Sequence, residues 1–441
     1  MDPAVTPDHQ GGAGPRPADV SVCGLWHLGT TVAAGLLRRG HRVVGHDPDD
    51  GLRRTAGRGE APTGEPGVGD ALAAGLRERR LRITADPADW ARSALCLLTY
   101  DSAVDAEGGV ADDRLDAAVA AFAEHAPPGA VLVVLSQVPA GTHTRWRGGP
   151  LAGRPDLRLV HVPENLRLGE ALADFLEPPR LVIGAEDADA ARQAAALFPT
   201  VEPARVSLTE AELVKHATNA YLGLCVAFAN ELAWIGSRLG ADPTVVARLL
   251  KTDPRISPRA PLLPGAAFSG STLQRDLVAL RRLGDEHGRS ELFATVLDAN
   301  RRHAHFAVDL LRAHYGELAG RRVAVAGLTY KPTTGTLRDS LPLRLVRGLL
   351  AEGAVVSAYD PLAEELPGDL AVERAGSLAA CVKGADALLI GSALPELAGT
   401  DWSGLAPAER LVVDGCVALS PEVLRAAGWR YLGMRPAAAD G

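Results

Sequence analysis

The most constraining feature of this 441-residue chain is a pattern that occurs twice: an apolar strand, a glycine turn, a helix, and a second strand that ends in an acid. The first copy begins with the strand 20–24 and ends at Asp47, and the second begins with the strand 322–327 and ends at Asp360. Strands that alternate with helices form parallel sheets covered by helices on both faces. The pattern therefore predicts an α/β protein with two doubly wound, Rossmann-like domains.

A long helix-like segment at 212–240 separates the two copies. Thr209 and Glu212 have the spacing of a capping box, in which each side chain bonds to the backbone amide of the other residue. Gly240 is suited to the position that closes a helix. We therefore expect a single long central helix that joins the two domains.

One face of this helix is expected to be an apolar stripe with the three-and-four spacing of a buried surface. The stripe consists of Leu213, Ala217, Ala220, Leu224, Phe228 and Leu232. Lys215 and Asn219 lie four residues apart on a neighbouring face, so a cation and an amide point to one spot. His216 is expected at the helix surface.

The chain is expected to consist of an N-terminal tail and three further units. Residues 1–18 are rich in Gly, Pro and Asp without an apolar run, so we expect a disordered tail and no signal peptide. The expected units are a first α/β domain at 19–203, a central helical region at 204–319 and a second α/β domain at 320–441.

Charge and cysteine usage argue against several classes of partner. A formal net charge of -8 disfavours a surface that binds nucleic acid. No apolar stretch looks long enough and free enough of charge to span a membrane, so no membrane partner is expected. The five cysteines are scattered without metal-ligand spacing, which indicates a reducing cytoplasm and no metal site.

The first glycine turn, from Gly24 to Gly29, predicts a dinucleotide site. Its glycines let the chain bend, and the helix that follows directs its N-terminus, including Leu28, at a pyrophosphate. Asp47 is placed to accept from a ribose hydroxyl, which favours NAD over NADP. The middle glycine of the usual pattern is replaced by Trp26.

In the order of its motifs, the chain resembles the UDP-glucose/GDP-mannose dehydrogenase family from Val20 to about Arg435. The matching stretches are 24–29, 138–142, 163–169, 212–231, 253–256, 268–276 and 331–340. The resemblance implies an N-terminal NAD domain, a C-terminal nucleotide-sugar domain and a homodimer formed through the central helix.

In that family, an alcohol at C6 of the sugar loses hydride to NAD, a cysteine adds to the aldehyde, a second hydride leaves, and water releases the acid. By resemblance, Lys215 and Asn219 hold and polarise the reacting oxygen, which is a large catalytic effect. Asp276 and Lys215 orient a water, and Glu164 handles the proton.

The resemblance also implies binding residues. Those for the nucleotide sugar are Leu166, Arg167, Leu168, Arg255, Phe268, Gly270 and Lys331. Ser136 and Arg338 are implied on the cofactor side, together with the glycine turn.

Several family residues are replaced, and the replacements are not random. Thr272 stands where the family has its nucleophilic cysteine, and a threonine without an adjacent base is a poor nucleophile. The other replaced positions are Gln137, Leu168, Arg275, Thr336 and Cys416. The changes affect the second oxidation and the shape of the substrate site, whereas Lys215, Asn219 and Asp276 are retained.

These replacements lead to the hypothesis of a single oxidation, from a secondary alcohol to a ketone, at C6 of a nucleotide-linked higher sugar. A GDP- or UDP-linked octose from antibiotic biosynthesis has such an alcohol. Two alternatives stay open. One is an acid-forming 6-dehydrogenase that works without a cysteine, and the other is a redox-silent protein that binds NAD and a nucleotide sugar.

Overall fold

The computed structural model of the chain describes residues 19–101, 113–269, 271–330, 335–337, 340–363 and 365–436. The predicted tail lies outside these residues, as do three candidate site residues, Gly270, Lys331 and Arg338. The chain divides into two compact units, with the main boundary between Lys215 and His216 in the central helix.

An eight-stranded sheet forms the centre of the first unit. Its strands are β1 (Asp19–Cys23), β2 (Arg42–His46), β3 (Leu81–Thr84), β4 (Leu95–Leu98), β5 (Val131–Val134), β6 (Arg158–His161), β7 (Val182–Ala185) and β8 (Ala204–Val206). Their order is β3-β2-β1-β4-β5-β6-β7-β8, and every neighbouring pair is parallel except β6 and β7. The first six strands have the order of a dinucleotide-binding fold.

Helices cover both faces of this sheet. They are α1 (His27–Arg38), α2 (Asp50–Gly57), α3 (Val68–Arg77), α4 (Pro87–Ala91), α5 (Asp113–His125), α6 (Thr142–Gly148), α7 (Ala171–Leu176) and α8 (Ala188–Ala195). Successive residues of β1 enter two different cores, since Val22 packs with α1 and α3 whereas Cys23 packs with α4 and α5. This alternation is the expected result of burying a strand on both faces.

The central helix, α9 (Leu208–Arg238), is 31 residues long. Its capping box is formed by Ser207 and Glu210, because the Ser207 amide donates to Glu210 Oε2 at 2.7 Å and the Glu210 amide donates to Ser207 Oγ at 3.3 Å. The predicted box at Thr209 and Glu212 was therefore wrong. Gly240, with φ of +75°, has the left-handed conformation predicted beyond the helix end.

The predicted apolar stripe of α9 was also wrong for its largest side chain, since Phe228 is 49% exposed. The buried face carries polar and small residues instead: Glu212, Lys215, His216, Asn219, Ala220, Ala227, Asn230 and Ala233. Periodicity alone places apolar residues inside, but a polar side chain is stable in the interior when it has a hydrogen-bond partner. Pairing with partners inside the protein therefore determines which face of α9 is buried.

α9 is long and apolar enough to span a membrane by length and composition, with a mean hydropathy of 1.2 over its best window. A single helix that meets these criteria is weak evidence for a membrane span. The core helix of a globular protein meets the same criteria, and Glu212 and His216 of α9 are buried in contacts with protein partners. These contacts favour a core helix.

The second unit contains a six-stranded parallel sheet. Its strands are β9 (Arg322–Ala326), β10 (Val355–Tyr359), β11 (Val372–Arg374), β12 (Ala387–Ile390), β13 (Leu411–Asp414) and β14 (Arg430–Leu432). The order β11-β10-β9-β12-β13-β14 repeats that of the first six strands of the other sheet. The second unit is thus also doubly wound.

The remaining helices complete this unit. They are α10 (Pro243–Leu250), α11 (Ser271–Glu286), α12 (Glu291–His303), α13 (Phe306–Tyr315), α14 (Leu341–Ala351), α15 (Leu378–Val382) and α16 (Pro421–Ala426), with a 3-10 helix at Pro395–Gly399. The predicted fold, two doubly wound α/β domains joined by a long central helix, is confirmed.

Candidate active site

The glycine turn between β1 and α1 is tightly packed. Gly24 has a φ of +103°, and a Cβ atom there would lie 2.9 Å from the backbone of Thr99. A Cβ atom on Gly29 would lie only 1.6 Å from the carbonyl oxygen of Gly24. Both predicted glycines are therefore required for α1 to begin directly above the end of β1.

Two carboxylates hold this turn. Asp47, which follows β2, is buried, and its Oδ2 accepts from the Leu25 amide at 2.7 Å. Asp101, which follows β4, accepts through Oδ2 from the Leu28 amide at 3.1 Å, in the first turn of α1. Asp47 thus lies at the predicted edge of the sheet, whereas Asp101 was not predicted at the helix N-terminus.

The residues of the turn fit a dinucleotide. Trp26, at the replaced glycine position, has a φ of -86°, so its backbone does not need a glycine, and its side chain is exposed. Ser136, just beyond β5, is fully buried, and its hydroxyl has no hydrogen-bond partner among the described residues. A buried hydroxyl without a partner is a donor available to a bound group. We conclude that Gly24, Gly29, Asp47 and Ser136 form a site that fits NAD.

Glu65 connects the turn to a second loop of the same unit. Its Oε2 lies 3.2 Å from Nε2 of His27 and accepts from the Gly169 amide at 2.9 Å. Its Oε1 accepts from the Ala171 amide at 2.7 Å. No role was predicted for Glu65, because three partners so distant in sequence leave no local pattern.

The loop after β6 carries four of the predicted residues. Glu164 Oε2 accepts from the Leu166 amide at 2.8 Å, which fixes the start of the loop. Arg167 makes a two-point contact with Asp174, at 2.7 and 3.0 Å, so its cation stabilises the loop itself. The Leu168 side chain is exposed.

Lys215 and Glu164, predicted from separate motifs, meet in the first unit. The buried Lys215 ammonium donates to the backbone carbonyl oxygen of Glu164 at 2.6 Å. It also lies 3.6 Å from Oε1 of the Glu164 carboxylate. It also donates to Asn165 Oδ1 at 3.5 Å. A buried cation is thus held beside a partly exposed carboxylate.

Glu212, one turn before Lys215 on α9, is held in the first unit by α6. Its carboxylate accepts from the amides of Gly141 and His143, at 2.7 and 2.9 Å, and lies 2.5 Å from Nδ1 of His143. Burial alone raises the pKa of Glu212, but these donors together lower it below its ordinary value. The contact anchors the N-terminal part of α9 and so positions Lys215.

A second cluster lies on α9 and α11 in the second unit. His216 Nδ1 lies 2.9 Å from Asp276 Oδ1, and Asn219 Nδ2 donates to Asp276 Oδ2 at 2.5 Å. Arg275 adds a weaker contact at 3.4 Å. The structure thus brings Asn219 and Asp276 together, whereas the prediction that His216 lies at the surface was wrong, because it is fully buried.

The charge state of Asp276 follows from these contacts. Burial is the largest influence and raises its pKa, but the His216 hydrogen bond, the charges of Arg275 and His216, and the Asn219 amide together lower it below the ordinary value. Asp276 is therefore a carboxylate at neutral pH, with both oxygens engaged.

Three other predicted residues of this unit have different surroundings. Thr272 is exposed in the first turn of α11. The Arg255 side chain is 87% exposed and bonds to Asp253, its neighbour in sequence. Phe268 is buried, and its amide and carbonyl are both bonded by the side chain of Asn300, at 2.9 and 2.8 Å. Asn300 therefore fixes the backbone just before α11.

No cysteine thiol is available on α11, the helix that carries Thr272 and Asp276. Of the five cysteines, all described, none lies on α11, and four are buried. Burial raises the pKa of Cys23 and of Cys96 to about 12. Among the described residues, no group of three or more His, Cys, Asp or Glu could hold a metal ion. The described polar groups are thus an ammonium group beside a carboxylate in the first unit, and an imidazole beside a carboxylate in the second.

Comparison with protein families shows which family the chain matches. Three family models match the chain: the NAD binding domain of the UDP-glucose/GDP-mannose dehydrogenase family at 18–202, its central domain at 209–302 and its UDP binding domain at 324–421.

Individual relatives span the same length. UDP-glucose 6-dehydrogenase AglM of Haloferax volcanii is 31% identical over 420 residues, which cover 90% of this chain and 96% of the relative. UDP-glucose 6-dehydrogenase TuaD of Bacillus subtilis is 30% identical over 425 residues, which cover 93% and 92%. The solved structure of a UDP-glucose dehydrogenase from Pyrobaculum islandicum superposes with a TM-score of 0.85 at 31% identity, covering 96% of this chain and 100% of that one.

Proposed function

Since the chain belongs to the UDP-glucose/GDP-mannose dehydrogenase family and is an NAD-dependent nucleotide-sugar dehydrogenase, we propose that it makes a single two-electron oxidation. The reaction converts a secondary alcohol, at C6 of a nucleotide-linked higher sugar, into a ketone. The observation that carries this proposal is Thr272, which stands at the position of the family nucleophile on a helix without a cysteine.

The absence of a thiol from α11 matters because the second oxidation of the family depends on it. A thiolate adds to an aldehyde and makes it a hydride donor again, and a threonine hydroxyl without an adjacent base does this poorly. A ketone has no hydrogen on its carbonyl carbon, so its oxidation stops after one hydride. A secondary alcohol is therefore the substrate that suits a site without a nucleophile.

Lys215 and Glu164 act on the reacting hydroxyl in this proposal. The ammonium of Lys215, held at 2.6 Å by a backbone carbonyl, polarises the alcohol oxygen as negative charge develops on it. The carboxylate of Glu164, 3.6 Å from that ammonium, accepts the hydroxyl proton. NAD, which Gly24, Gly29, Asp47 and Ser136 would hold, would supply the acceptor for the hydride of the carbinol carbon. The products are thus a ketone, NADH and one proton.

Asn219 and Asp276, in the second unit, also have a role in this proposal. The Asn219 amide is held by the Asp276 carboxylate through a hydrogen bond of 2.5 Å, so its carbonyl oxygen has a fixed direction. We assign Asn219 to the reacting oxygen and Asp276 to the orientation of a water molecule. Both assignments follow the family, and the buried contact between the two residues supports them.

Two residues of the loop after β6 support the proposed substrate class. Leu168 replaces a family glutamate and presents an exposed apolar side chain, and Asn165 replaces a family phenylalanine. A smaller, polar Asn165 leaves room for extra carbon atoms beyond C6. We propose a GDP- or UDP-linked higher sugar, such as an octose of antibiotic biosynthesis. We place the activity in the cytoplasm, where the reduced cysteines of the chain are stable.

Each part of the chain receives a role in this proposal. We assign cofactor binding to residues 19–203, subunit contact to the central region 204–319 and nucleotide-sugar binding to 320–441. The three family models, matched at 18–202, 209–302 and 324–421, support this division.

The central helix also supports a homodimer. Tyr221, Phe228 and Ile235 follow one another at seven-residue intervals on α9, and they are 55%, 49% and 56% exposed. Residues seven apart lie on one face of a helix, and such an exposed apolar face suits a second protein surface. We propose that the face is covered by the same helix of a second copy.

An acid-forming reaction is the second candidate. The observation in its favour is that the relatives at 30% and 31% identity are UDP-glucose 6-dehydrogenases, and that Glu164 and Asp276 remain available for a direct oxidation of an aldehyde hydrate. A redox-silent role is disfavoured by the retention of Lys215, Asn219 and Asp276 together.

The test is product analysis with a panel of UDP- and GDP-sugars, some with a primary and some with a secondary alcohol at C6. Pure protein is incubated with NAD, and each product is trapped with borodeuteride and identified by mass. We expect turnover of a secondary alcohol, with loss of two hydrogen atoms and incorporation of deuterium on trapping. A carboxylic acid as the sole product would overturn the single oxidation, and tight NAD binding without any turnover would favour the redox-silent role.

A further inference from the structure

His216 is placed where it can affect the reaction without touching the substrate. It follows Lys215 on α9, and its ring is fully buried in the second unit, where Nδ1 lies 2.9 Å from Asp276 Oδ1. The other oxygen of Asp276 is occupied by the Asn219 amide at 2.5 Å. Two side chains of α9, one turn apart, therefore hold both oxygens of one carboxylate.

Core packing alone does not explain an imidazole at this place. A buried polar pair must offset the loss of hydration of both groups, and an apolar side chain of similar volume is often as stable or more stable. His303 shows what a structural histidine does in the same unit: its Nε2 lies 2.8 Å from the backbone carbonyl oxygen of Gly265, and its ring stacks on Phe306. His216, by contrast, contacts Asp276, a residue to which the proposed function assigns a role.

We propose that His216 is a positioning residue of the oxidation, which fixes the orientation of the Asp276 carboxylate through Nδ1. This inference rests on the proposed function for the role of Asp276, although it concerns the first hydride and is independent of the final product. A carboxylate with one free oxygen rotates about its terminal bond. With the His216 contact in place, neither oxygen of Asp276 is free to move.

The charge of Asp276 depends on the same contact. Among the residues that the structure describes, the groups in contact with it are His216 and Asn219 of α9 and Arg275 of its own helix. Burial raises the pKa of Asp276, and the His216 hydrogen bond is the largest influence that lowers it. Removal of the donor therefore raises this pKa, so the carboxylate is lost at a higher pH. The acidic limb of the pH profile should move upward accordingly.

Three substitutions separate this role from packing. His216→Asn keeps a donor near the place of Nδ1, His216→Gln moves the donor toward the place of Nε2, and His216→Leu removes it. His303→Leu is the control, because it removes a half-buried histidine whose Nε2 partner is a backbone carbonyl. For each variant, kcat, KM for both substrates, the pH profile of kcat/KM and the thermal midpoint are measured on the proposed secondary alcohol.

We expect His216→Leu and His216→Gln to lower kcat by about 10- to 100-fold and to move the acidic limb upward, with KM for NAD unchanged. His216→Asn should keep kcat within about threefold of the original chain. His303→Leu should lower the thermal midpoint without moving the acidic limb.

The inference is overturned if His216→Gln and His216→Asn have the same kcat and an unmoved acidic limb, whatever the stability of His216→Leu. Failure of the proposed function gives a different result. In that case the original chain releases two equivalents of NADH, and the same comparison of variants is made on the sugar it oxidises.

Discussion

The proposal of a single oxidation depends on Thr272, which stands at the position of the family nucleophile. It lies one turn before Asp276 on α11, and its side chain is exposed. If its hydroxyl formed a covalent intermediate, its removal would abolish turnover. If it only lines the site, its removal leaves the first hydride transfer intact.

We therefore predict that Thr272→Ala retains kcat within about threefold, because no bond to the hydroxyl is formed during the reaction. Thr272→Ser is the matched control, since it keeps the hydroxyl and loses only the methyl group. Lys215→Ala, by comparison, should lower kcat by about 100- to 1,000-fold through loss of electrostatic stabilisation. Steady-state rates of NADH formation measure all three variants.

A loss of activity in Thr272→Ala that Thr272→Ser restores would contradict the prediction. It would assign a covalent or proton-transferring role to the hydroxyl and would support the acid-forming candidate.

At the same scale, part of the site could be predicted from sequence. Lys215 and Glu164 belong to long motifs, and the structure brings them together. His216 could not be predicted, because helical periodicity records polarity and spacing but not the partner that makes a buried polar group stable. Its partner, Asp276, is 60 positions further along the chain.

Among the elements, α9 has an unusual distribution of side chains. Its buried face carries an acid, a cation, an imidazole and an amide within two turns: Glu212, Lys215, His216 and Asn219. Each of these has a partner in the protein, in α6, in the loop after β6, or on α11. These contacts hold the part of α9 up to Lys215 in the first unit and the part from His216 onward in the second.

We predict that Glu212→Gln lowers the free energy of unfolding at pH 7 by about 3 kcal/mol, because it breaks a buried pair that has two further amide donors. The pKa of Glu212 is lowered in the folded state, so its contribution is present above the unfolded pKa, about 4.3, and is lost as the pH falls through the folded value. Urea unfolding of both proteins between neutral pH and about pH 3 measures the difference.

The matched control for this measurement is Glu210→Gln. Glu210 belongs to the exposed capping box with Ser207, so its substitution should lower the free energy of unfolding much less than Glu212→Gln does. A difference between Glu212→Gln and the original chain that stays constant down to pH 3 would contradict the account of the buried pair.

The elements also show where sequence patterns are ambiguous. Ser207 and Thr209 are each followed by a glutamate three residues later, so two overlapping capping boxes are available. Only the burial of Glu212 against His143 decides that Ser207 and Glu210 form the cap. The short strands β3, β8, β11 and β14 were not predicted, since edge strands of three or four residues carry little apolar signal.

At the scale of the whole molecule, the first prediction concerns the proposed homodimer. We predict that Phe228→Glu and Ile235→Glu convert the protein into a monomer, because a charge at the centre of an apolar interface cannot be buried without a partner. Val423→Glu is the control, since Val423 is also 55% exposed but belongs to α16 and not to α9. Sedimentation velocity gives the mass of each form.

A dimer that persists in both α9 variants would place the subunit contact elsewhere. A monomer already present in the original chain would remove the proposed role of the central region in assembly.

The central claim, a single oxidation, is tested most directly by counting NADH. Limiting nucleotide sugar with a secondary C6 alcohol is converted to completion with excess NAD, and the NADH formed is divided by the sugar consumed. The proposal predicts one equivalent and a ketone, because the carbonyl carbon then has no hydrogen left to transfer. Two equivalents with an acid as the product, obtained from a primary alcohol while the secondary alcohol is not turned over, would contradict it.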